Sequence, residues 1–292
     1  MIAVAKIVAK LFIPEKARRF IRYCIDSDYR AAKGRERDRM LTKLIFEQTQ
    51  GRILGGPFRD MRFIPTNILG SYMSCKLLGT YERELNTIVE KMIARGYRTI
   101  VNIGAGEGYY GVGFAKRVPG ARVICYEIDQ RNQEVIREHA ELNGVGDRVE
   151  VHGRCEPGGL SERLSRAEEP IAVVCDVEGY EYDLLDPLSI PQLRNADVLV
   201  ELHDMFRKGV SKALKNRFAP THAVTRLHST RRTRADFPSQ VNLDLSLQTR
   251  ALDEDRGGTM YWYWMEANQL PRRHEDAKAA PASEAGAAVA AS

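Results

Sequence analysis

Three short stretches, each closing an apolar run, hold the residue types and spacings that could do chemistry. The first is Val101-Asn102-Ile103-Gly104-Ala105-Gly106-Glu107-Gly108. Glycines so placed let the backbone turn tightly and approach a ligand, and a helix starting there offers free N–H groups. Glu127 closes the next apolar run, where a carboxylate can accept both hydroxyls of an adenosine ribose. The second stretch is Cys175-Asp176-Val177-Glu178-Gly179-Tyr180-Glu181-Tyr182. Asp176 and Glu178 alternate by two, so an extended backbone points both toward one crevice, and Gly179 permits a sharp turn into a helix. Paired carboxylates raise one another's pKa or attract a cationic group; capping of the following helix is the competing role for Glu178 or Glu181. The third stretch is Val200-Glu201-Leu202-His203-Asp204. His203 is the histidine placed at a strand end beside acids, so it is the leading general base, with Asp176 and Glu178 as its catalytic neighbours. Glu201, His203, Asp176 and Glu178 have donors for a divalent metal, but their spacing is not diagnostic and no metal is expected. His139, His152, His222, His228 and His274 have no such setting and are expected to be structural or exposed.

The elements that must position these residues alternate from Arg98 onward. Thr99–Ile103, Arg122–Glu127, Val149–His152, Ile171–Asp176, Val198–Leu202, Ala223–Leu227 and Met260–Met265 read as strands. Helices are expected over Tyr109–Arg117 and Gln130–Leu142, with another over Leu85–Ala94 just ahead of the first strand. This alternation predicts an α/β, Rossmann-like, seven-stranded and mostly parallel sheet with helices on both faces. Residues 1–76 read as a helical and irregular N-terminal extension, 77–268 as the ligand-binding domain and 269–292 as a disordered tail. Within the extension, Val4, Ile7, Val8, Leu11 and Phe12 mark an amphipathic helix, residues 17–50 are charged and helical, and residues 51–65 form an irregular Gly-, Pro- and aromatic-rich connection.

Composition narrows the class. The chain has 292 residues and a net charge of +5, unevenly spread. Residues 1–50 hold twelve Lys/Arg against six Asp/Glu, and residues 205–234 hold nine Lys/Arg and no acid, so basic patches could face phosphates, anionic lipids or acidic glycans. The first helix leaves peripheral membrane contact open. Its lysines make a poor secretory signal, and no apolar run reaches membrane-spanning length. Five scattered cysteines (Cys24, Cys75, Cys125, Cys155, Cys175) without C-x-x-C spacing argue against a disulfide framework or zinc site and fit a reducing cytoplasm. The basic stretch lacks the regular aromatics of a base-stacking protein, so specific nucleic-acid binding is not expected.

Gly106-Glu107-Gly108-Tyr109-Tyr110-Gly111 also matches a dinucleotide fingerprint, which keeps an NAD-dependent oxidoreductase as an alternative. A non-enzymatic basic binding module is a second. Against the former, the turn begins at Gly104 rather than Gly106, and bulky Tyr109 and Tyr110 stand where a pyrophosphate must come close.

Together the motifs resemble class I S-adenosylmethionine-dependent methyltransferases, and more narrowly the FkbM-type family, over residues 77–265. The specific element is Asp176-Val177-Glu178-Gly179-Tyr180-Glu181, which looks like that family's hallmark after the fourth strand. Gly104 to Gly108 is similar to its cofactor loop, Tyr126-Glu127-Ile128-Asp129 to its ribose-binding strand end, and Leu78-Gly79-Thr80-Tyr81-Glu82 to the segment folded over the cofactor's methionine end. The resemblance implies S-adenosyl-L-methionine as cofactor, held by Tyr81, Glu82, Asn102, Gly104, Ala105, Gly106, Gly108, Glu127, Ile128 and Asp176. It implies methyl transfer to an oxygen, a hydroxyl on a sugar, glycan or natural product. The chain departs from the pattern at Asn102, where such enzymes usually carry an acid. An amide accepts a hydrogen bond from the ligand's amino group but offers it no charge, which leaves that task to Glu82 or Asp176.

Overall fold

The computed structural model describes residues 26–65 and 71–268. The apolar runs become strands because both their faces are covered: β1 (Thr99–Ile103), β4 (Ile171–Cys175) and β5 (Asp197–Glu201) are buried at every position. β2 (Arg122–Tyr126), β3 (Val149–His152), β6 (His222–His228) and β7 (Tyr261–Ala267) complete one sheet in the order β3-β2-β1-β4-β5-β7-β6. The first five strands in chain order pair in parallel, whereas β7 runs antiparallel between β5 and β6. The Rossmann-like seven-stranded sheet expected from the alternation is therefore present. Its boundaries differ slightly, since Glu127 and Asp176 lie just past the ends of β2 and β4.

Strand alternation divides the core into two layers. Ile100, Val123, Cys125, Trp262 and Trp264 face one side, where α4 (Tyr109–Arg117) and α5 (Gln130–Leu142) contribute Val112, Phe114 and Ile136. Val101, Ile124, Tyr126, Tyr263 and Met265 face the other, covered by Leu160 and Leu164 of α6 (Pro157–Ser165) and by Val210, Leu214 and Phe218 of α8 (Val210–Phe218).

The N-terminal segment shares the first layer. α1 (Ser27–Thr49) buries Leu41 and Ile45 on the same cluster, and the irregular stretch after it buries Ile53, Phe58 and Phe63. Phe58 packs edge-on to Tyr109 and Phe114, and Gly113 makes room, because a Cβ there would lie 2.6 Å from the Phe58 ring. α2 (Ser71–Leu78) and α3 (Asn86–Arg95) then lead into β1. The expected amphipathic helix over residues 4–12, Cys24, His274 and the tail 269–292 lie outside the described residues. Among the described residues, no helix is long and apolar enough to cross a membrane. Cys75, Cys125, Cys155 and Cys175 are free and buried.

Asp197, at the start of β5, locks the inserted strand in place. It is 3% exposed, receives the Tyr97 hydroxyl, pairs with Arg95 at 2.8 Å and accepts the Ala267 backbone N–H at 2.8 Å. Removing one partner of a buried ion pair strands the other, so Asp197→Ala should cost about 3 kcal/mol. This is read as a lowered urea midpoint at unchanged slope; a loss below about 1 kcal/mol would refute the locking role.

Candidate active site

The site forms where the first and fourth strands end side by side. Gly104 and Ala105 both donate backbone N–H groups to the Tyr126 carbonyl, at 2.9 and 3.0 Å. Gly104 takes φ +76°, and a Cβ there would fall 1.7 Å from the Asp176 carbonyl oxygen. Only glycine permits that approach. Gly106 (φ +55°) differs, because a Cβ there would meet nothing within 4 Å. Its bare side faces space suited to a ligand.

Two cavities flank this turn. The larger, about 530 Å³, is lined by Tyr81, Glu82, Asn102, Ala105, Glu201 and His203 among others; the smaller, about 410 Å³, by Tyr126, Glu127, Ile128 and Val177. They share Gly104, Gly106, Asp176 and Glu178. Of the sequence-predicted residues, Gly108 lines neither: with φ +91° it starts α4 and faces Val112 and Ile136. Tyr109 and Tyr110 stand on the wall of the larger cavity and leave the bend at Gly106 open.

Glu127 braces the turn. One carboxylate oxygen accepts the Gly106 N–H at 2.7 Å and the other the Asp129 N–H at 2.9 Å. Each oxygen keeps a further lone pair for a ligand hydroxyl. Ile128 is 69% exposed beside it and offers an apolar surface to a ring. Asn102 is 1% exposed and lines the larger cavity, and among the described residues its side-chain oxygen has no hydrogen-bond partner. A buried acceptor left open is costly unless a ligand supplies the donor.

His203 is 3% exposed and held from behind. Its Nδ1 lies 3.2 Å from Oε1 of Glu181, which also accepts the His203 backbone N–H at 2.9 Å. The other Glu181 oxygen accepts the Gly179 N–H at 2.7 Å. Glu181 thus orients the imidazole rather than merely capping the helical turn Glu181–Leu184 (α7), fixing a proton on Nδ1 and turning Nε2 toward the cavity. Nε2 is 3.5 Å from Asp176 and 3.7 Å from Glu178. Glu178 does not get there by strand alternation, as its spacing from Asp176 suggested. With φ +53°, it reaches His203 through a left-handed turn. Asp176, Glu178 and His203 also place ligand atoms within 4.8 Å of one another, a spacing that a divalent cation could span.

Electrostatics around the cleft are unusual. Burial and the charge of Glu82 push the Asp176 carboxyl up to about 7. Burial and the charge of Asp176 push the Glu201 carboxyl upward, against the opposing pull of Arg256. For His203, burial lowers basicity, but the hydrogen bond to Glu181 and the charge of Asp176 outweigh it, and the net shift is upward. Such a cluster favours a cationic ligand.

Sequence reasoning missed Arg256, Glu254 and Lys76. Arg256 reaches Glu82 at 2.8 Å, Glu201 at 2.9 Å and Glu254 at 2.7 Å, and lines the larger cavity. It lies in the charged run Asp253-Glu254-Asp255-Arg256, which reads as a loop, and no spacing marks it. Lys76 pairs with Glu107 beneath the rings of Tyr81 and Tyr109. Of the other histidines, His139 and His222 are buried and bonded to backbone carbonyls, as structural residues are.

Fold and site together define a Rossmann-like α/β protein with a two-chambered, acidic ligand cleft at the carboxyl edge of its parallel strands. No family model matches the chain. Two curated relatives are methyltransferases. The release factor glutamine methyltransferase of Chlorobaculum tepidum is 27% identical over 128 residues, 41% of this chain and 39% of the relative. The ribosomal protein L11 methyltransferase of Aeromonas hydrophila subsp. hydrophila is 38% identical over 55 residues, 19% of this chain and 18% of the relative. The chain thus spans well under half of the relatives it matches. Solved structures similar to it include the O-methyltransferase of Bacillus cereus in complex with S-adenosylhomocysteine (15% identity, 90% of this chain, 97% of that one, TM-score 0.43). Another is the O-methyltransferase TomG of Streptomyces achromogenes in complex with S-adenosylmethionine (15% identity, 68% and 88%, TM-score 0.45).

Two outcomes test this geometry. Gly104→Ala should yield protein that is insoluble or melts far below wild type, since the new methyl meets backbone; a wild-type melting curve would refute the contact. In proton NMR, the His203 ring should titrate above the ordinary 6.5, and in Glu181→Gln lower than in the wild type, because one of the carboxylates that oppose burial is gone while Asp176 and Glu178 remain. An unchanged midpoint in that variant would remove Glu181 as the orienting group.

Proposed function

We propose that the protein is an S-adenosylmethionine-dependent methyltransferase that O-methylates a hydroxyl on a sugar, glycan or natural-product acceptor, of the FkbM type. The observation that carries this reading is the pair of cavities joined over the bare backbone of Gly106. One chamber has a carboxylate and an apolar surface for a nucleoside. The other has acids for an amino-acid end. Glu127 and Ile128 would hold the adenosine, and Tyr81, Glu82, Asn102 and Asp176 the methionine portion. The methyltransferase character of the two partial curated relatives agrees with this.

S-adenosylmethionine supplies a methyl group already made electrophilic by its sulfonium, so the protein's tasks are alignment and proton removal. His203 Nε2 faces the place where the chambers meet and takes the acceptor's proton. Glu181 holds the ring in the required tautomer, and Asp176 and Glu178 stabilise the imidazolium that forms. The acidic lining also favours a positively charged cofactor over its neutral product, which helps product leave.

Calorimetry tests the cofactor. S-adenosylhomocysteine should bind the wild-type protein, and Glu127→Ala should weaken binding about thirty-fold, or about 2 kcal/mol, the scale of hydrogen bonds to a charged group. His203→Asn should leave that affinity within about threefold while lowering transfer to an acceptor, found as a methyl gain by mass spectrometry, by about 10²-fold or more. A melting temperature raised by NAD and untouched by S-adenosylmethionine would overturn the reading.

A further inference from the structure

Between β6 and β7 the chain leaves the sheet at Ser229 and returns at Met260. The two residues are pinned together: Ser229 donates its N–H to the Met260 carbonyl, and Met260 donates its own to the Ser229 hydroxyl, both at 2.9 Å. The excursion includes α9 (Leu245–Ala251) and folds back onto the N-terminal segment. Arg232 ties it to the Thr80 carbonyl at 2.8 Å and to Glu84 at 2.7 Å, and Arg250 ties it to Asp38 of α1 at 2.7 Å. It encloses a third cavity of about 840 Å³.

That cavity collects three of the arginines from the acid-free stretch 205–234. Arg231, Arg232, Arg234 and Arg256 line it, against Asp253 and Glu254. Both acids are already engaged. Glu254 receives Arg232 at 2.6 Å and Arg256 at 2.7 Å, and Asp253 pairs with Arg250 at 3.3 Å. Arg232 and Arg256 are neutralised in the same network. Arg231 and Arg234 are exposed, and their side chains make no hydrogen bond or ion pair among the described residues. Two forked donors without acids match the chemistry of an oxyanion, and Thr259 lines the same cavity. Glu254, Arg256 and Gly257 line both this cavity and the larger chamber of the cleft, so one ligand could occupy both.

We propose that this cavity is the outer subsite for the methyl acceptor, and that it takes a phosphate or carboxylate carried by that acceptor through Arg231 and Arg234. The acceptor's hydroxyl then reaches over the Glu254–Gly257 rib to His203. This rests on the methyltransferase reading for the identity of the inner chamber, while the anion site itself depends only on the arginines. An oxyanion anchor fixes the far end of the acceptor, and binding energy from a remote group then serves orientation at the reacting oxygen.

The test is a two-stage calorimetric titration at constant ionic strength in chloride. S-adenosylhomocysteine is added first to the full-length protein, and its failure to bind overturns the cofactor reading before any anion is present. Pyrophosphate and succinate are then titrated separately into the loaded protein. Binding of pyrophosphate alone assigns a phosphorylated acceptor, and binding of succinate alone a carboxylated one. The double variant Arg231→Gln/Arg234→Gln should weaken the bound anion at least tenfold while the melting temperature and S-adenosylhomocysteine affinity stay at wild-type values. Absence of anion binding at millimolar concentration, or equal binding in the double variant, overturns the subsite.

Discussion

Gly104 and the carbonyl of Asp176 meet at a distance that leaves no room for a side chain. Everything chemical in this molecule is arranged around that contact. β1 and β4 are neighbours in register, so their ends arrive together, but the loops leaving those ends must also turn away without colliding. The turn after β1 runs leftward through Gly104, Gly106 and Gly108, and the turn after β4 through Glu178 and Gly179. The result is a narrow saddle with a chamber on either side. Glu127, one strand further out, stiffens the saddle by accepting two backbone N–H groups, so a residue placed to hold a ligand also holds the loop that the ligand lies against.

A second constraint is the ion-pair network over the larger chamber. Arg256 bridges Glu82, Glu201 and Glu254, and Arg232 bridges Glu84 and Glu254. These charges come from the segment before β1, the end of β5 and the excursion before β7. Burying them carries a desolvation cost that close pairing offsets only when every partner is present. The network therefore ties all three regions together at the wall of the larger chamber. It also leaves the cleft with an excess of acid near Asp176 and Glu201, whose raised pKa values come from burial and mutual repulsion. A cationic ligand in the chamber would relieve that repulsion.

The N-terminal segment is bound into the same core. Phe58 seats against Tyr109 and Phe114 from outside the parallel sheet, and Gly113 is the accommodation made for it. That packing fixes the start of α4, and with it the wall of the larger chamber formed by Tyr109 and Tyr110. The paired tyrosines, which in a dinucleotide site would obstruct the phosphates, here stand beside the cavity with the Tyr110 hydroxyl bonded to Glu82.

Local rules were enough to place the strands, the glycine turn and the acids at strand ends. Fully buried parallel strands must be unbroken apolar runs, and the polar residues just past such runs lie at the sheet's carboxyl edge whatever the rest of the chain does. Glu127, Asp176, Glu178 and His203 were legible for that reason, and so was Glu201. Other features depended on contacts between segments distant in sequence. The insertion of β7 antiparallel between β5 and β6 is set by the Asp197 lock and by Trp262 and Trp264 entering one core layer. The role of Glu181 behind His203 needed the turn at Gly179, and Gly108 stands at the helix start and lines neither chamber. Arg256 and Lys76 carried no signal because an ion pair is defined by where its partner arrives, and spacing along one chain does not encode that. Sequence determined which groups stand at the edge of the sheet; tertiary packing decided which of them face one another, since side-chain period is local while charge pairing and close approach are not.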